Sequence, residues 1–325
     1  MVSNVIGDIE ERMNPFLTDS QMSELHDVLI DVLASVPSDE SCSSKSDVEL
    51  LDAFISAKRV EGCSEKTLRY YRSTIANVLS AISHPVCDIT TDDLRTYLSD
   101  YQQNNKVSKT TIDNVRRILS TFFSWLEDED HILKSPVRRI KKVRVSKLVK
   151  EVYSDEDLEI MRDNCDTLRD LAIVDLLSST GMRVGELVNL NRDDVDFVNR
   201  ECVVLGKGDK ERPVYFDART KVHLQAYLDE RGDSNPALFV TLNNPFERLQ
   251  ISGVEIRLRE LGEKLNIHKV HPHKFRRTLA TRAIDKGMPI EQVQQLLGHQ
   301  KIDTTLEYAM VNQNNVKASH RKYIG

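Results

Sequence analysis

Apolar positions in this chain fall mostly at helical spacing, in blocks separated by polar stretches. Met22, Leu25, Leu29, Val32 and Val36 alternate three- and four-residue steps, which predicts one amphipathic helix. Pro37-Ser38-Asp39-Glu40-Ser41 ends it, and the serine-rich run to Ser46 reads as a linker. Such a stripe needs a surface to bury against, either the neighbouring domain or another protomer. A second block reads as four helices. The first begins with Leu50, Leu51, Phe54 and Ile55, and the next is capped by Ser64 and carries Leu68, Ile75, Val78, Leu79 and Ile82 inward. Thr90-x-x-Asp93 has the form of a capping box before Leu94, Tyr97, Leu98 and Tyr101. Ser108 opens the fourth helix, where Ile112, Val115, Ile118, Leu119, Phe122, Phe123 and Leu126 keep the period.

In the second half, helices follow Ser154 and run through Leu171, Val174, Leu176 and Leu177, until Thr180-Gly181 breaks the pattern. Arg183 enters a short helix with Glu186 and Leu187. The period changes to two at Cys202-Val203-Val204-Leu205 and Arg212-Pro213-Val214-Tyr215-Phe216, with Gly206-Lys207-Gly208-Asp209 between them, which predicts a β-hairpin. Helices near 218–230 and 251–265 flank a short strand at Leu238-Phe239-Val240. A helix from His273 to about Asp285 follows, then one that Pro289 starts and Gly298 ends, and a last short helix that carries Tyr308. The expected fold is mainly α with a small β-hairpin or sheet in the C-terminal domain. Its parts are an acidic helical extension (1–44), a helical domain (45–133), a linker (134–150), a second domain (151–310) and a tail (311–325).

Length allows this, since 325 residues supply two cores without disulfide or metal staples. The five scattered cysteines, Cys42, Cys63, Cys87, Cys165 and Cys202, form no Cys-x-x-Cys pair and suit a reducing compartment. No signal pattern or long apolar run is present, so a soluble cytoplasmic protein without a membrane partner is expected. The net charge of −6 conceals a division. Residues 1–57 carry 2 basic and 12 acidic side chains, net −10, and the remainder carries 43 and 39, net +4. Lys134, Arg138, Arg139, Lys141, Lys142, Arg144, Lys147 and Lys150 fall in a stretch without acids, which can present a basic surface or simply a solvated linker.

Six residues suit one task in the order they occur. Arg183 and Arg276 can clamp a phosphodiester, because a guanidinium donates two parallel hydrogen bonds and stays charged. Tyr308 is the candidate nucleophile. Its phenol, with a pKa of about 10, needs a base, for which His273 serves, while His299 donates to the phosphate. Lys207, at the hairpin tip, can protonate a departing 5′ oxygen. Each has an ordinary alternative: Arg183 paired with Glu186, Tyr308 at a core edge, Lys207 a solvated turn lysine with Lys210 able to claim its role. A metal site built on His268, His271, His273 and His299 is disfavoured by their spacing and by the lack of acidic partners.

Taken together, Thr180-Gly181-Met182-Arg183-Val184-Gly185-Glu186-Leu187, Gly206-Lys207-Gly208 through Arg212, His273-Lys274-Phe275-Arg276, Leu297-Gly298-His299 and Tyr308 resemble the tyrosine recombinase (phage integrase) family. The likeness is close over the second domain, and one of layout only over the helical domain. It departs at Arg277, where the family often has histidine. It implies a two-domain clamp on DNA, with a helical core-binding domain and an α+β catalytic domain. It implies a 3′-phosphotyrosyl intermediate on Tyr308, Arg183 steadied by Glu186, and no cofactor or metal. Implied partners are double-stranded DNA with a specific core site, three further copies in a homotetramer on two sites, and an accessory DNA-bending or directionality factor. The tail 311–325 would dock on a neighbouring protomer. Candidate DNA contacts are Lys66, Arg69, Arg72, Lys109, Arg116, Arg117, Arg138, Arg139, Lys141, Lys142 and Arg144. The expected activity is site-specific recombination that integrates or excises a mobile element. Rivals are a type IB topoisomerase-like enzyme, a chromosome-dimer resolving recombinase and a non-catalytic DNA-binding protein.

Overall fold

Serine and threonine caps set where the helices of the N-terminal half begin. In the computed structural model, which describes residues 9–35, 45–144, 151–206, 211–306, 320–321 and 324, helix α1 spans Asp19–Ser35. Met22, Leu25 and Leu29 of its predicted stripe are half-buried. Helix α2 (Asp47–Val60) starts from a capping box of Ser46 and Glu49, and α3 (Glu65–Ala81) from Ser64, which accepts from the Thr67 N–H. Thr90 and Asp93 form the predicted box ahead of α4 (Thr91–Asn104), and Ser108 caps α5 (Lys109–Asp128). Such a cap contributes about 1 kcal/mol by satisfying an N–H that the first turn leaves unpaired.

The chain divides into two compact units, Met1–Lys147 and Leu148–Gly325. The core of the first is aromatic at its centre: the Phe54 ring lies 5.1 Å from Phe122 and 5.6 Å from Trp125, both edge-on. Leu50, Ile75, Val78, Leu94, Leu119 and Leu126 close around it, each fully buried. Residues 134–144, read from sequence as linker, are docked on this unit. Val137 is buried, Pro136 accepts from the Thr91 hydroxyl at 2.7 Å, and the Val143 N–H donates to Asp113 at 3.1 Å.

In the second unit, helix α6 (Asp155–Asp163) starts from a Ser154–Asp157 capping box, and α7 (Leu168–Thr180) runs through the core. Ala172, Ile173, Val174, Leu176 and Leu177 are buried on all sides of α7, the signature of a central helix. It packs on α9 (Ala218–Glu230) and α11 (Pro272–Asp285). After the short α8 (Val184–Asn189) come β1 (Val195–Asp196), β2 (Glu201–Leu205) and β3 (Glu211–Tyr215), an antiparallel sheet in that order. The register pairs Cys202 with Val214 and Val204 with Arg212, so these four share the inward face. Helices α10 (Ile251–Leu265), α12 (Ile290–Leu297) and α13 (Ile302–Leu306) complete the unit.

One strand was not anticipated, and two local expectations fail. The third strand, β1, carries no alternation long enough to announce it. Leu238-Phe239-Val240 is not a strand; isolated bridges form at Ala237 and Val240 instead. Its polar groups are taken one by one: the Arg231 guanidinium donates to the Ala237 and Leu238 carbonyls, and the Leu238 N–H donates to Leu190. Cys63, Cys165 and Cys202 carry free thiols, while Cys87 is disulfide-bonded where unpaired thiols were expected. Among the described residues no helix is long and apolar enough to cross a membrane.

Candidate active site

Two glycines end two helices at the same place. Gly181 closes α7 and Gly298 closes α12, both in the left-handed region at φ 60° and 64°, where a side chain would be strained. At Gly298 the chain turns through the two bonds of a Schellman cap, Gly298 N–H to Gln295 and His299 N–H to Gln294 at 3.1 Å. The last carbonyls of α12 then face outward as acceptors at the negative end of the helix.

Three arginines collect there. Arg276 is buried; it donates to the Gly181 carbonyl at 2.8 Å and to the Leu297 carbonyl. Arg183, at the start of α8, donates to the Gly298 carbonyl at 3.4 Å. Arg212, from β3, donates to the Leu296 carbonyl at 3.3 Å. Three consecutive carbonyls thus hold three guanidiniums, which explains the Leu-Gly-His motif: glycine turns the chain and leaves the acceptors open.

Glu186 ties two of the three together. It accepts from Arg183 at 2.8 Å and from both ends of the Arg212 fork at 2.8 and 2.7 Å. Burial pushes this carboxyl up, but hydrogen bonds from Arg212 and from the Arg183 backbone outweigh that, and its pKa ends below the usual range. One carboxylate between two guanidiniums leaves this trio with surplus positive charge, which suits an anion. Arg212 was quoted in the sequence motif but given no role. The available signal was period-two alternation, which puts it on the inward face with Val214. An inward arginine requires a hydrogen-bonding partner, which here is the buried Glu186 carboxylate.

His299 follows Gly298 directly, and its Nδ1 lies 2.9 Å from the Thr305 hydroxyl on α13. Desolvation lowers its pKa, with Arg276, Arg183 and Arg212 adding to the effect, to about 4. His273, on the first turn of α11, is lowered for the same reasons: desolvation first, then Arg276 and Arg183. Both rings therefore lie within the field of the same arginines and are neutral at pH 7.

An open cleft of about 880 Å³ borders the cluster, lined by Arg183, Arg212, His299, Lys301 and Thr304 among others. Gly206 and Glu211 also line it. Lys207, and the rest of the turn they flank, lie outside the described residues, as do Tyr308 and most of the tail 311–325. Of the six sequence candidates, Arg183, Arg276 and His299 meet around the end of α12, and His273 senses the two arginines. Among the described residues no group of three or more His, Cys, Asp or Glu side chains could hold a metal ion.

The basic residues of the first unit are placed separately. Lys66, Arg69 and Arg72 are exposed on α3, and Lys109 and Arg117 on α5. Arg72 pairs with Asp52, and the Arg116 Nε donates to the buried Asp113 at 2.9 Å. Arg116 and Arg117 line an open groove of about 480 Å³ with Tyr70, Tyr71 and Asn114, three residues that sequence reasoning did not select. Arg138, Arg139, Lys141, Lys142 and Arg144 are exposed on the docked segment, Arg138 within 3.5 Å of Glu127.

Residues 145–315 match the model of the phage integrase family, and residues 50–132 match its N-terminal SAM-like domain. The chain is 30% identical over 279 residues to tyrosine recombinase XerC of Staphylococcus aureus strain USA300 / TCH1516, covering 82% of this chain and 93% of that one. It belongs to the phage integrase family. The enzyme is thus a tyrosine-type site-specific recombinase, which cleaves and rejoins DNA. Solved structures share the recombinase fold. A Tn1549 transposon integrase in complex with circular intermediate DNA superposes with TM-score 0.69 at 19% identity, over 84% of this chain and 98% of that one. A lambda integrase dimer bound to a COC′ core site does so at 0.69 and 18%, over 89% and 87%. XerH bound to a palindromic difH substrate matches at 0.66 and 21%, over 97% and 94%.

Proposed function

We propose that Tyr308 is the nucleophile of this recombinase and that Arg183, Arg276 and His299 hold the scissile phosphate. The Tyr308 oxygen bonds to phosphorus, its proton passes to His273, and the bond from phosphorus to the 5′ oxygen breaks. Lys207 gives that oxygen its proton. The products are a 3′-phosphotyrosyl link and a 5′-hydroxyl, and attack by a partner strand's 5′-hydroxyl reverses the step. Charge that grows on the non-bridging oxygens meets guanidiniums already fixed in place, so the site stabilises the transition state more than the ground state. Glu186 and Arg212 position the clamp. The observation that carries this reading is the convergence of Arg183, Arg276 and His299 on the C-terminal end of α12.

The partner is double-stranded DNA with a specific core site, gripped by both units as a clamp. Lys66, Arg69, Arg72, Lys109, Arg116, Arg117, Arg138, Arg139, Lys141, Lys142 and Arg144 supply phosphate contacts, and four copies act on two sites in the cytoplasm. An accessory bending or directionality factor and docking of the tail 311–325 on a neighbour belong to the same reading. Within this reading the strand exchange integrates or excises a mobile element, with resolution of chromosome dimers as the alternative. Element ends beside the gene would bear the first out.

A library of nicked duplexes with randomised cores tests this, because the fragment beyond the nick diffuses away and traps the covalent adduct. The parent should capture a subset with a common core, and Tyr308→Phe should capture none. Equal capture by both assigns the nucleophile elsewhere. Two labelled duplexes carrying that core should then exchange strands; supercoil relaxation without exchange would favour a topoisomerase-like role.

A further inference from the structure

The Thr305 hydroxyl is fully buried, three residues before the proposed nucleophile, on the short helix α13. Among the described residues its hydrogen-bond partner is Nδ1 of His299, at 2.9 Å. No bond joins it to the Lys301 carbonyl, which instead accepts from the Thr304 N–H. A buried hydroxyl has one proton to place, and leaving it without an acceptor costs roughly 1–3 kcal/mol. The neutral imidazole offers one acceptor nitrogen and one N–H. If Nδ1 carried the proton, ring and hydroxyl would both present hydrogens across this contact, or the hydroxyl proton would turn away from its one acceptor among the described residues. If Nδ1 is bare, the hydroxyl donates and both groups are satisfied.

We infer that Thr305 is a positioning residue that fixes the His299 tautomer, keeping Nδ1 an acceptor and the ring proton on Nε2. The inference rests on the reading of His299 as a phosphate donor, and it gives that donor its proton without charging the ring. It also couples two parts of the site. Helix α13, which ends just before Tyr308 in the sequence, must be seated for Thr305 to reach the ring, so its seating orients the proton for the phosphate. Sequence reasoning passed over Thr305, because a threonine beside a nucleophile has no spacing signature.

The test is the nitrogen NMR spectrum of the full-length protein labelled in its histidines, with His299 assigned by His299→Gln. The parent should show an acceptor-type Nδ1 and a protonated Nε2 at pH 7. Thr305→Val, which keeps the shape and removes the hydroxyl, should give a mixed or reversed tautomer, and Thr305→Ser should restore the parent's. On the core sequence captured from the randomised library, Thr305→Val should lower the single-turnover cleavage rate about 10- to 100-fold. Its Kd for that duplex should match the parent's, and Thr305→Ser should recover the rate. A parent spectrum with the proton on Nδ1 overturns the inference without any variant, as does an unchanged tautomer in Thr305→Val. An unchanged tautomer in Thr305→Val leaves the donor role of His299 standing, whereas a parent proton on Nδ1, or failure of the parent to form any adduct, removes that role as well.

Discussion

Glu186 carries more of the site than its formal role as a helix-capping acid suggests. Its side chain is 4% exposed and meets Arg183 and Arg212 at once, so neutralising it would leave two guanidiniums facing each other. Removing one partner of a buried ion pair costs about 3–5 kcal/mol, and Glu186→Gln should lose stability on that scale in a denaturant titration, with cleavage reduced further. A loss below 1 kcal/mol would mean that the arginines are held by the α12 carbonyls alone. The histidines set the acid behaviour. The folded pKa values of His273 and His299 lie below their usual value, His299 at about 4, so the unfolded chain takes up their protons first. The stability they contribute is complete above their unfolded pKa of about 6.5 and is lost as pH falls toward the folded values. Glu186, also depressed, contributes stability above its unfolded pKa of about 4.3 and loses it as pH falls through its lower folded value. On the proposal that His273 accepts the Tyr308 proton, the ring must be neutral, so kcat/KM for cleavage should be flat above about pH 6.5 and fall on acidification. A maximum below pH 6 would assign the base elsewhere.

Among the elements, helix ends matter most, since the site is built where α7 and α12 stop. A Cβ at Gly298 would lie 2.9 Å from Cδ of Arg212, and at Gly181 2.6 Å from Leu279, both at left-handed φ. Gly298→Ala should therefore destabilise the fold by about 1–2 kcal/mol and displace Arg212, lowering cleavage beyond what lost stability explains. Thermal unfolding set beside single-turnover rates separates the two; parental rates in the variant would show that Arg212 need not hold its place. The helices were legible because their caps are local: Ser64, Thr90, Ser108 and Ser154 each accept from a backbone N–H three residues on. The order of Arg183, Arg276 and His299 was legible too, as a spacing pattern. Arg212 and Thr305 were not assigned, because their partners, Glu186 and His299, are chosen by tertiary packing. Leu238-Phe239-Val240 was misread for the same reason. Its apolar composition fits a strand, but the Arg231 guanidinium 6 and 7 residues back takes the carbonyls that a ladder would use.

For the whole molecule, charge division is the feature that the net value of −6 hides. Residues 1–44, with 9 acidic side chains and 1 basic, carry a net −8 that repels phosphates over roughly a Debye length, about 10 Å at 0.1 M salt. Deleting residues 1–44 should raise affinity for a non-specific duplex severalfold at low salt, and the gain should vanish at high salt. Unchanged affinity in a fluorescence titration would leave that segment without an electrostatic role. The central claim is that guanidiniums gathered at the end of α12 neutralise one phosphate in the transition state, and a methylphosphonate at the scissile position tests it most directly because it deletes the charge they answer. With Arg183→Ala, cleavage of the ordinary duplex should fall about 10²–10³-fold, whereas on the uncharged duplex the same substitution should cost less than about tenfold. Equal losses on both substrates would contradict the account.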